Sequence, residues 1–348
     1  MEDKMPDNAA PPPSIMPLIA GYIPARLVFL AAELGIADLI AGGTTTVEGL
    51  VQHTGVHAPS LKRMLRALCA YDVFEEKTPG QFALRPMGVQ LRSDVPGSLR
   101  NFARFYPDQR TWKCFEEIEH TIRTGETAMS LAFGMHGFEW LAEHPKEAAI
   151  FNAAMADITH LVARAAIGAY DFSAFQMILD VGGGNGTFLA EILRSAPAAS
   201  GMLFDVVAGL REAEATLRKA SVADRCKVIP GDFFQSVPAG ADLMVLKSVI
   251  HDWDDQHAAA ILAQCRAAAS AETRLVLVER VMPECMTASA ANQRAASLDM
   301  RMLTITGGLE RTEQEYRQLM ERAGFDWTRT IPLGPPSDQA VLEAVPTR

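Results

Sequence analysis

The run Ile178-Leu179-Asp180-Val181-Gly182-Gly183-Gly184-Asn185-Gly186-Thr187-Phe188 constrains the fold of this chain more than any other stretch. An apolar strand breaks into glycines and at once enters a helical pattern, Phe188 to Leu193. Glycines let the backbone turn sharply and let a ligand approach closely, and a helix N-terminus presents unpaired amides. Dinucleotide sites place a third glycine three positions after the second, but after Gly182 and Gly184 that position is Thr187. Gly186 instead makes the pattern Gly-x-Gly-x-Gly. The Gly-Lys-Ser/Thr ending of phosphate-cradling loops is missing too, so phosphate binding has no specific support.

The hydrophobic period changes on either side of residue 170. Beyond it, short apolar runs at Met177 to Val181, Met202 to Val206, Lys227 to Ile229, Leu243 to Leu246 and Leu275 to Val278 alternate with helical segments such as Leu210 to Ala220, which begins at Gly209, and Ala258 to Ala269. That alternation predicts an α/β fold with a mostly parallel sheet covered on both faces. Phe325 to Ile331 and Ala340 to Val345 would close the chain as a hairpin-like pair. Before it the pattern is helical. Leu61, Met64, Leu65, Leu68 and Cys69 fall on one stripe, with Lys62, Arg63 and Arg66 opposite. Thr46 precedes a short helix that Gly55 ends, and Val73-Phe74-Glu75 and Gln81 to Leu84 flank a Pro79-Gly80 turn, which together outline a winged helix. The chain's 348 residues fit about two domains at roughly 150 residues each. The expected organisation is a disordered lead-in over 1–13, a helical domain over 14–168 and an α/β domain over 169–348.

Composition narrows the function classes. Hydrophobic residues make up 49% and charged ones 21%, so the chain has a globular composition. A net charge of -10 gives no global field toward nucleic acid or an anionic membrane, and neither is expected as a partner. Cys69, Cys114, Cys226, Cys265 and Cys285 are odd in number and form no Cys-x-x-Cys pair, so they read as reduced thiols. The acidic, proline-bearing start argues against a secretory signal, and Pro17, Pro24, Arg26, Glu33 and Asp38 interrupt the most apolar early stretch too often for a membrane span. A cytoplasmic protein is expected.

Three strand ends describe an adenosine pocket. Asp205 ends the second strand, where a carboxylate either accepts from both ribose hydroxyls or caps the strand. Asp232 and Phe233 follow the third, offering a carboxylate for an adenine amino group and an aromatic face for its ring, although both Phe233 and Phe234 also suit a core. The fourth strand leads into Lys247-Ser248-Val249-Ile250-His251-Asp252-Trp253-Asp254-Asp255, which sets His251 at the same sheet edge. Asp254 or Asp255 suits an N-cap of the next helix, and the acids around His251 lack a characteristic metal-ligand spacing, so no metal is expected.

These segments, with Gly307-Gly308-Leu309-Glu310-Arg311-Thr312, occur in an order and spacing that resembles the S-adenosylmethionine-dependent small-molecule O-methyltransferases of the caffeate and plant type, including their bacterial natural-product branch. The resemblance spans nearly the whole chain. It implies a Rossmann-like, mostly parallel seven-stranded sheet behind a winged-helix-like dimerisation domain, and a homodimer whose helical halves contribute to each other's substrate pocket. It implies that Gly182, Gly184, Asp205, Asp232, Phe233 and Lys247 serve S-adenosylmethionine, and that His251 is the general base. Glu279 and Glu310 match the two glutamates that flank and orient that histidine, and Asp252 matches a position that touches substrate in some relatives. Val206-Val207 departs from the Leu-Pro that many relatives carry after the acid.

The reaction so implied is methylation of a hydroxyl on a small aromatic acceptor. Phe151, Met155, Met300 and Leu303 are candidates for the acceptor pocket because Met and Phe adapt to flat apolar ligands, but the same residues at helical spacing also suit a core. Two other readings remain at this stage: a winged-helix regulator that uses the nucleoside pocket as a sensor, and an enzyme of the same fold that uses the cofactor without methylating. A nicotinamide-dependent oxidoreductase ranks last on glycine spacing.

Overall fold

A computed structural model describes residues 14–335 and 337–348; the lead-in expected over 1–13 lies outside the described residues. The chain divides into two compact units between Pro107 and Asp108.

In the first unit, Thr46 caps the helix Val47–Thr54 by accepting from the Gly49 amide at 3.2 Å, and Gly55 ends it in a left-handed conformation. The helix Ala58–Ala70 buries Leu61, Leu65 and Leu68 and exposes Lys62, Arg63 and Arg66. Strands β1 (Phe74–Thr78) and β2 (Gln81–Leu84) pair antiparallel and add Phe74 and Phe82 to that core. Helix, turn, helix and small hairpin are all present.

The second unit begins with a run of helices that ends in Pro145–Ala169. A boundary drawn at 168 on hydrophobic period therefore separates types of secondary structure, while the compact units separate earlier. Pro145–Ala169 is long and apolar enough to cross a membrane, yet it packs on the helix Thr187–Ser195 and places Val162, Ala163 and Ala166 in the core on one sheet face.

Seven strands follow: β3 (Met177–Val181), β4 (Ser200–Asp205), β5 (Cys226–Pro230), β6 (Leu243–Lys247), β7 (Arg274–Met282), and, beyond the two-residue β8 (Arg311–Thr312), β9 (Phe325–Pro332) and β10 (Gln339–Pro346). Their order is β5-β4-β3-β6-β7-β10-β9, parallel from β5 to β7, with β10 antiparallel to both neighbours and β8 a short parallel addition to β7. The chain runs outward from β3 to β5 and then returns to place β6 on β3's other side. That reversal opens a crevice at the carboxyl ends of β3 and β6, where open α/β sheets take ligands. Near-continuous apolar runs such as Leu243 to Leu246 are buried because helices cover both faces. The helix expected over Leu210 to Ala220 is a 3-10 turn, Gly209–Glu212, followed by the helix Ala213–Lys219.

The base of the crevice strands is fastened by Asp242. Its carboxylate accepts the amides of Gln176 and Met177 at 2.8 and 2.9 Å, and its carbonyl accepts the Arg274 amide. Hydrogen bonds to a charged acceptor contribute about 1.5–3 kcal/mol each, less where solvent reaches them. Asp242→Ala is expected to lower stability by about 2 kcal/mol, read as a loss of several degrees in Tm, and Asp242→Asn by less.

Candidate active site

The glycine turn after β3 is built for close approach. A side chain on Gly182 would stand 2.9 Å from Val249 and 3.5 Å from the Phe233 ring, so the turn, the β5 loop and the β6 loop converge there. Gly184, at φ +56, has nothing within 4 Å of a Cβ position and faces open space. Its amide donates to Asp205 Oδ2 at 2.7 Å, and the Val206 amide donates to Oδ1 at 2.6 Å. Burial pushes the Asp205 carboxyl up, against the pull of those two amides. Asp232 caps its own turn by accepting from the Phe234 amide at 2.9 Å.

Beneath the turn lie two charged groups in apolar surroundings. Asp180 is buried, its Oδ2 has no partner, and burial pushes its carboxyl up to about 7 despite the attraction of Lys247. Lys247 donates to Thr159 Oγ1 at 3.1 Å, and burial lowers its pKa. A strand-end acid beside an open glycine turn, an aromatic ring, a half-buried cation and a buried carboxyl with one unpartnered oxygen fit a nucleoside that carries a zwitterionic amino-acid tail.

His251 lies in the turn Ile250–Asp252 and is buried. Its Nδ1 is 3.1 Å from Glu310 Oε1 and 3.5 Å from Glu279 Oε2, while Nε2 has Asp252 Oδ1 at 3.9 Å, beyond hydrogen-bond reach. Burial by itself would lower the His251 pKa, but the carboxylates of Glu279, Glu310 and Asp252 outweigh it and raise it to about 10. Burial raises Glu279, whereas Glu310 is lowered: burial opposes its ionisation, and His251 and Arg280 overcome that. An ionised Glu310 only accepts, so Nδ1 carries the proton in the neutral ring and Nε2 is left bare.

The turn itself is held from two sides. Glu279 Oε1 accepts the amides of Val249 and Ile250 at 2.9 and 2.8 Å. The buried Arg311 donates to the carbonyls of Ile250 and Trp253 at 3.1 and 2.8 Å and pairs with Asp255 at 2.9 Å. Asp254 is the N-cap of the helix Asp255–Ala268, accepting from the His257 amide. Among the described residues no group of three or more His, Cys, Asp or Glu is arranged to hold a metal.

Phe151 and Met155 sit half-buried one helical turn apart on Pro145–Ala169, and Met300 and Leu303 likewise on the helix Ala290–Ile305. Phe151 packs on a cluster containing Trp140 and Ile305, which joins its helix to that of Met300. Trp253 lies against Phe138 with ring centroids 6.2 Å apart, and Phe138 meets Phe151 at 6.4 Å, so an aromatic path leads from the His251 turn toward Phe151. Asp299 accepts the Glu310 amide at 2.9 Å and ties Met300's helix to the same centre. Sequence reasoning missed Asp180, Thr159, Arg280 and Arg311. Asp180 was open to discovery as an acid inside an apolar strand; Thr159 had no signal.

Residues 115–326 match the O-methyltransferase domain family, and residues 16–93 match the O-methyltransferase dimerisation domain. The chain belongs to the S-adenosylmethionine-dependent O-methyltransferases. The phenazine O-methyltransferase PhzM of Lysobacter antibioticus is 40% identical over 332 residues, covering 95% of each chain. The crystal structure of LaPhzM superposes with a TM-score of 0.90 at 39% identity, covering 95% of this chain and 98% of that one. NcsB1, an O-methyltransferase from neocarzinostatin biosynthesis solved with S-adenosylmethionine and 2-hydroxy-5-methyl naphthoic acid, superposes at 0.81 with 30% identity, covering 97% and 100%. The family assignment gives the cofactor, S-adenosylmethionine, and leaves the nicotinamide reading without support.

Proposed function

We propose that this O-methyltransferase methylates a hydroxyl of a small, flat aromatic natural-product acceptor, with His251 as general base. The observation that carries the reading is the His251 ring, tied at Nδ1 to the ionised Glu310, so that Nε2 is the bare nitrogen once the imidazolium, whose pKa is raised, has given up a proton. A phenol with a pKa near 10 is only about 0.1% ionised at pH 7. A positioned base contributes about 10² to 10⁴-fold, a range that matches that deficit.

When bound, S-adenosylmethionine supplies a methyl group made electrophilic by its sulfonium. Gly182 and Gly184 leave room for the cofactor's backbone-side approach, Asp205 takes the ribose hydroxyls, and Asp232 and Phe233 take the adenine. Lys247 and Asp180, whose Oδ2 has no partner, would take the charges of the tail. Phe151, Met155, Met300 and Leu303 hold the flat face of the acceptor, Asp252 stands beside Nε2, and His251 receives the hydroxyl proton. Two copies pair through the N-terminal unit; the exposed apolar run of Ile15, Met16, Leu18, Ile19 and Tyr22 supports a covering partner there. We place the enzyme in the cytoplasm, acting on small aromatic molecules.

A panel of phenols and matched anilines, followed by mass spectrometry for the gain of one methyl group, tests the reading. Methylated phenols are expected. Methylated anilines with untouched phenols would overturn the hydroxyl assignment, and a monomer by light scattering at micromolar concentration would overturn the pairing.

A further inference from the structure

Glu279 and Glu310 both approach His251 Nδ1, but they differ in what else they hold. Glu279 Oε1 is spent on the amides of Val249 and Ile250, and in both glutamates Oε2 has no hydrogen-bond partner. Glu310 Oε1 receives His251 at 3.1 Å and Arg280 Nη1 at 3.2 Å. Arg280 is itself nearly buried, 12% exposed at the side chain, and its Nη2 donates to Asp338 Oδ1 at 2.8 Å in the segment between β9 and β10. We propose that Arg280 is a positioning residue that fixes negative charge on Glu310, so that Glu310 alone orients His251 while Glu279 anchors the turn.

The inference rests on the reading of His251 as base. In a buried cluster, three carboxylates around one imidazole disfavour one another's ionisation, and the cation decides which one ionises most readily. Arg280 lies on Glu310, so Glu310 takes the charge and Glu279 is driven toward its neutral form. Around this centre stand Asp252 on the histidine's own turn, with Lys247 and His136 acting on Asp252. Tyr316 faces both glutamates from the helix Glu313–Arg322, and Asp299 holds the Glu310 amide from the helix Ala290–Ile305. None of these groups is a second cation bonded to Glu310. Asp338 in turn keeps Arg280 aimed.

Signs follow from charge. The active form has His251 neutral, so kcat/KM rises with pH through the His251 pKa, above the ordinary imidazole value of about 6.5. Without Arg280 the charge on Glu310 is no longer held and the carboxyl takes a proton more readily, so Arg280→Met should move that acid limb to lower pH, in the same direction as Glu310→Gln. It should also lower the plateau ~10- to 100-fold as the ring loses its hold. Arg280→Lys should keep the limb. Glu310→Gln removes the charge that stabilises imidazolium and should move the limb down. Glu279→Gln keeps an amide acceptor for the turn and should move the limb less than Glu310→Gln does.

The test is the pH profile of kcat/KM for these four variants, with S-adenosylhomocysteine binding by calorimetry as the check on folding. A limb that falls in Arg280→Met, holds in Arg280→Lys, falls in Glu310→Gln and moves less in Glu279→Gln than in Glu310→Gln supports the proposal. An unmoved or raised limb in a folded Arg280→Met, or a limb that moves further in Glu279→Gln than in Glu310→Gln, overturns it. Should Arg280→Met not fold, the two glutamate variants decide alone. Failure of the base reading is separate: it would appear as an active His251→Ala enzyme.

Discussion

Replacing His251 with alanine is expected to lower kcat for an ordinary phenol by ~10² to 10⁴-fold where the ring is neutral and to change S-adenosylhomocysteine affinity by less than about threefold. The loss falls on kcat because the ring acts on a proton that moves only in the reaction. The cofactor side should be spared because Gly184, Asp205 and Lys247 make their contacts with one another and with Thr159, not with the imidazole. His251→Asn keeps a polar side chain of similar reach without a base and should lose about as much. Single-turnover rates and calorimetry separate the two effects.

Gly308→Ala is expected to have the next largest effect. A Cβ there would lie 2.0 Å from the His251 carbonyl oxygen, 2.4 Å from the Asp252 carbonyl carbon and 2.7 Å from the Trp253 nitrogen. All three are backbone atoms, so no side chain can rotate away. The clash must separate the His251 turn from the segment that carries Glu310, and a displacement of about 1 Å at reacting groups costs on the order of 10²-fold. Overpacking should also lower stability by ~1–3 kcal/mol. Gly168→Ala is the matched control. Its Cβ meets nothing within 4 Å, and alanine at a helical position should raise stability by ~0.5–1 kcal/mol with activity intact. Equal losses in the two variants would remove the steric argument.

The parts of the molecule that were legible in the sequence are those whose logic is local. The strand, glycine turn and helix from Ile178 to Phe188 are contiguous, so their residue types report their own conformation. The helix stripe through Leu61, Leu65 and Leu68 is legible for the same reason, as is the hairpin-like pair β9 and β10. An apolar stripe says that a face is buried but not against what, which is why the helices after Asp108 read as part of an N-terminal domain. Two-residue β8 has no period to read.

The candidate site divides in the same way. Asp205, at the end of β4, and Gly184, in the turn after the neighbouring β3, lie 21 residues apart, a spacing that topology predicts. His251 and Glu310 are 59 apart, and Lys247 and Thr159 are 88 apart; only folding brings them together. Resemblance supplied the two glutamates but treated them alike. What distinguishes them is a third side chain, Arg280, and a fourth, Asp338, whose approach no motif encodes.

The central claim is that His251 removes a proton that an ordinary phenol does not lose by itself at neutral pH. The most direct test compares wild-type enzyme with His251→Ala across acceptors of one ring shape whose phenol pKa runs from about 10 to below 7. The account predicts a loss of ~10² to 10⁴-fold on the least acidic phenol that shrinks steadily and nearly vanishes on phenols already ionised in solution. A loss of equal size on every acceptor, or none on the least acidic, would contradict it.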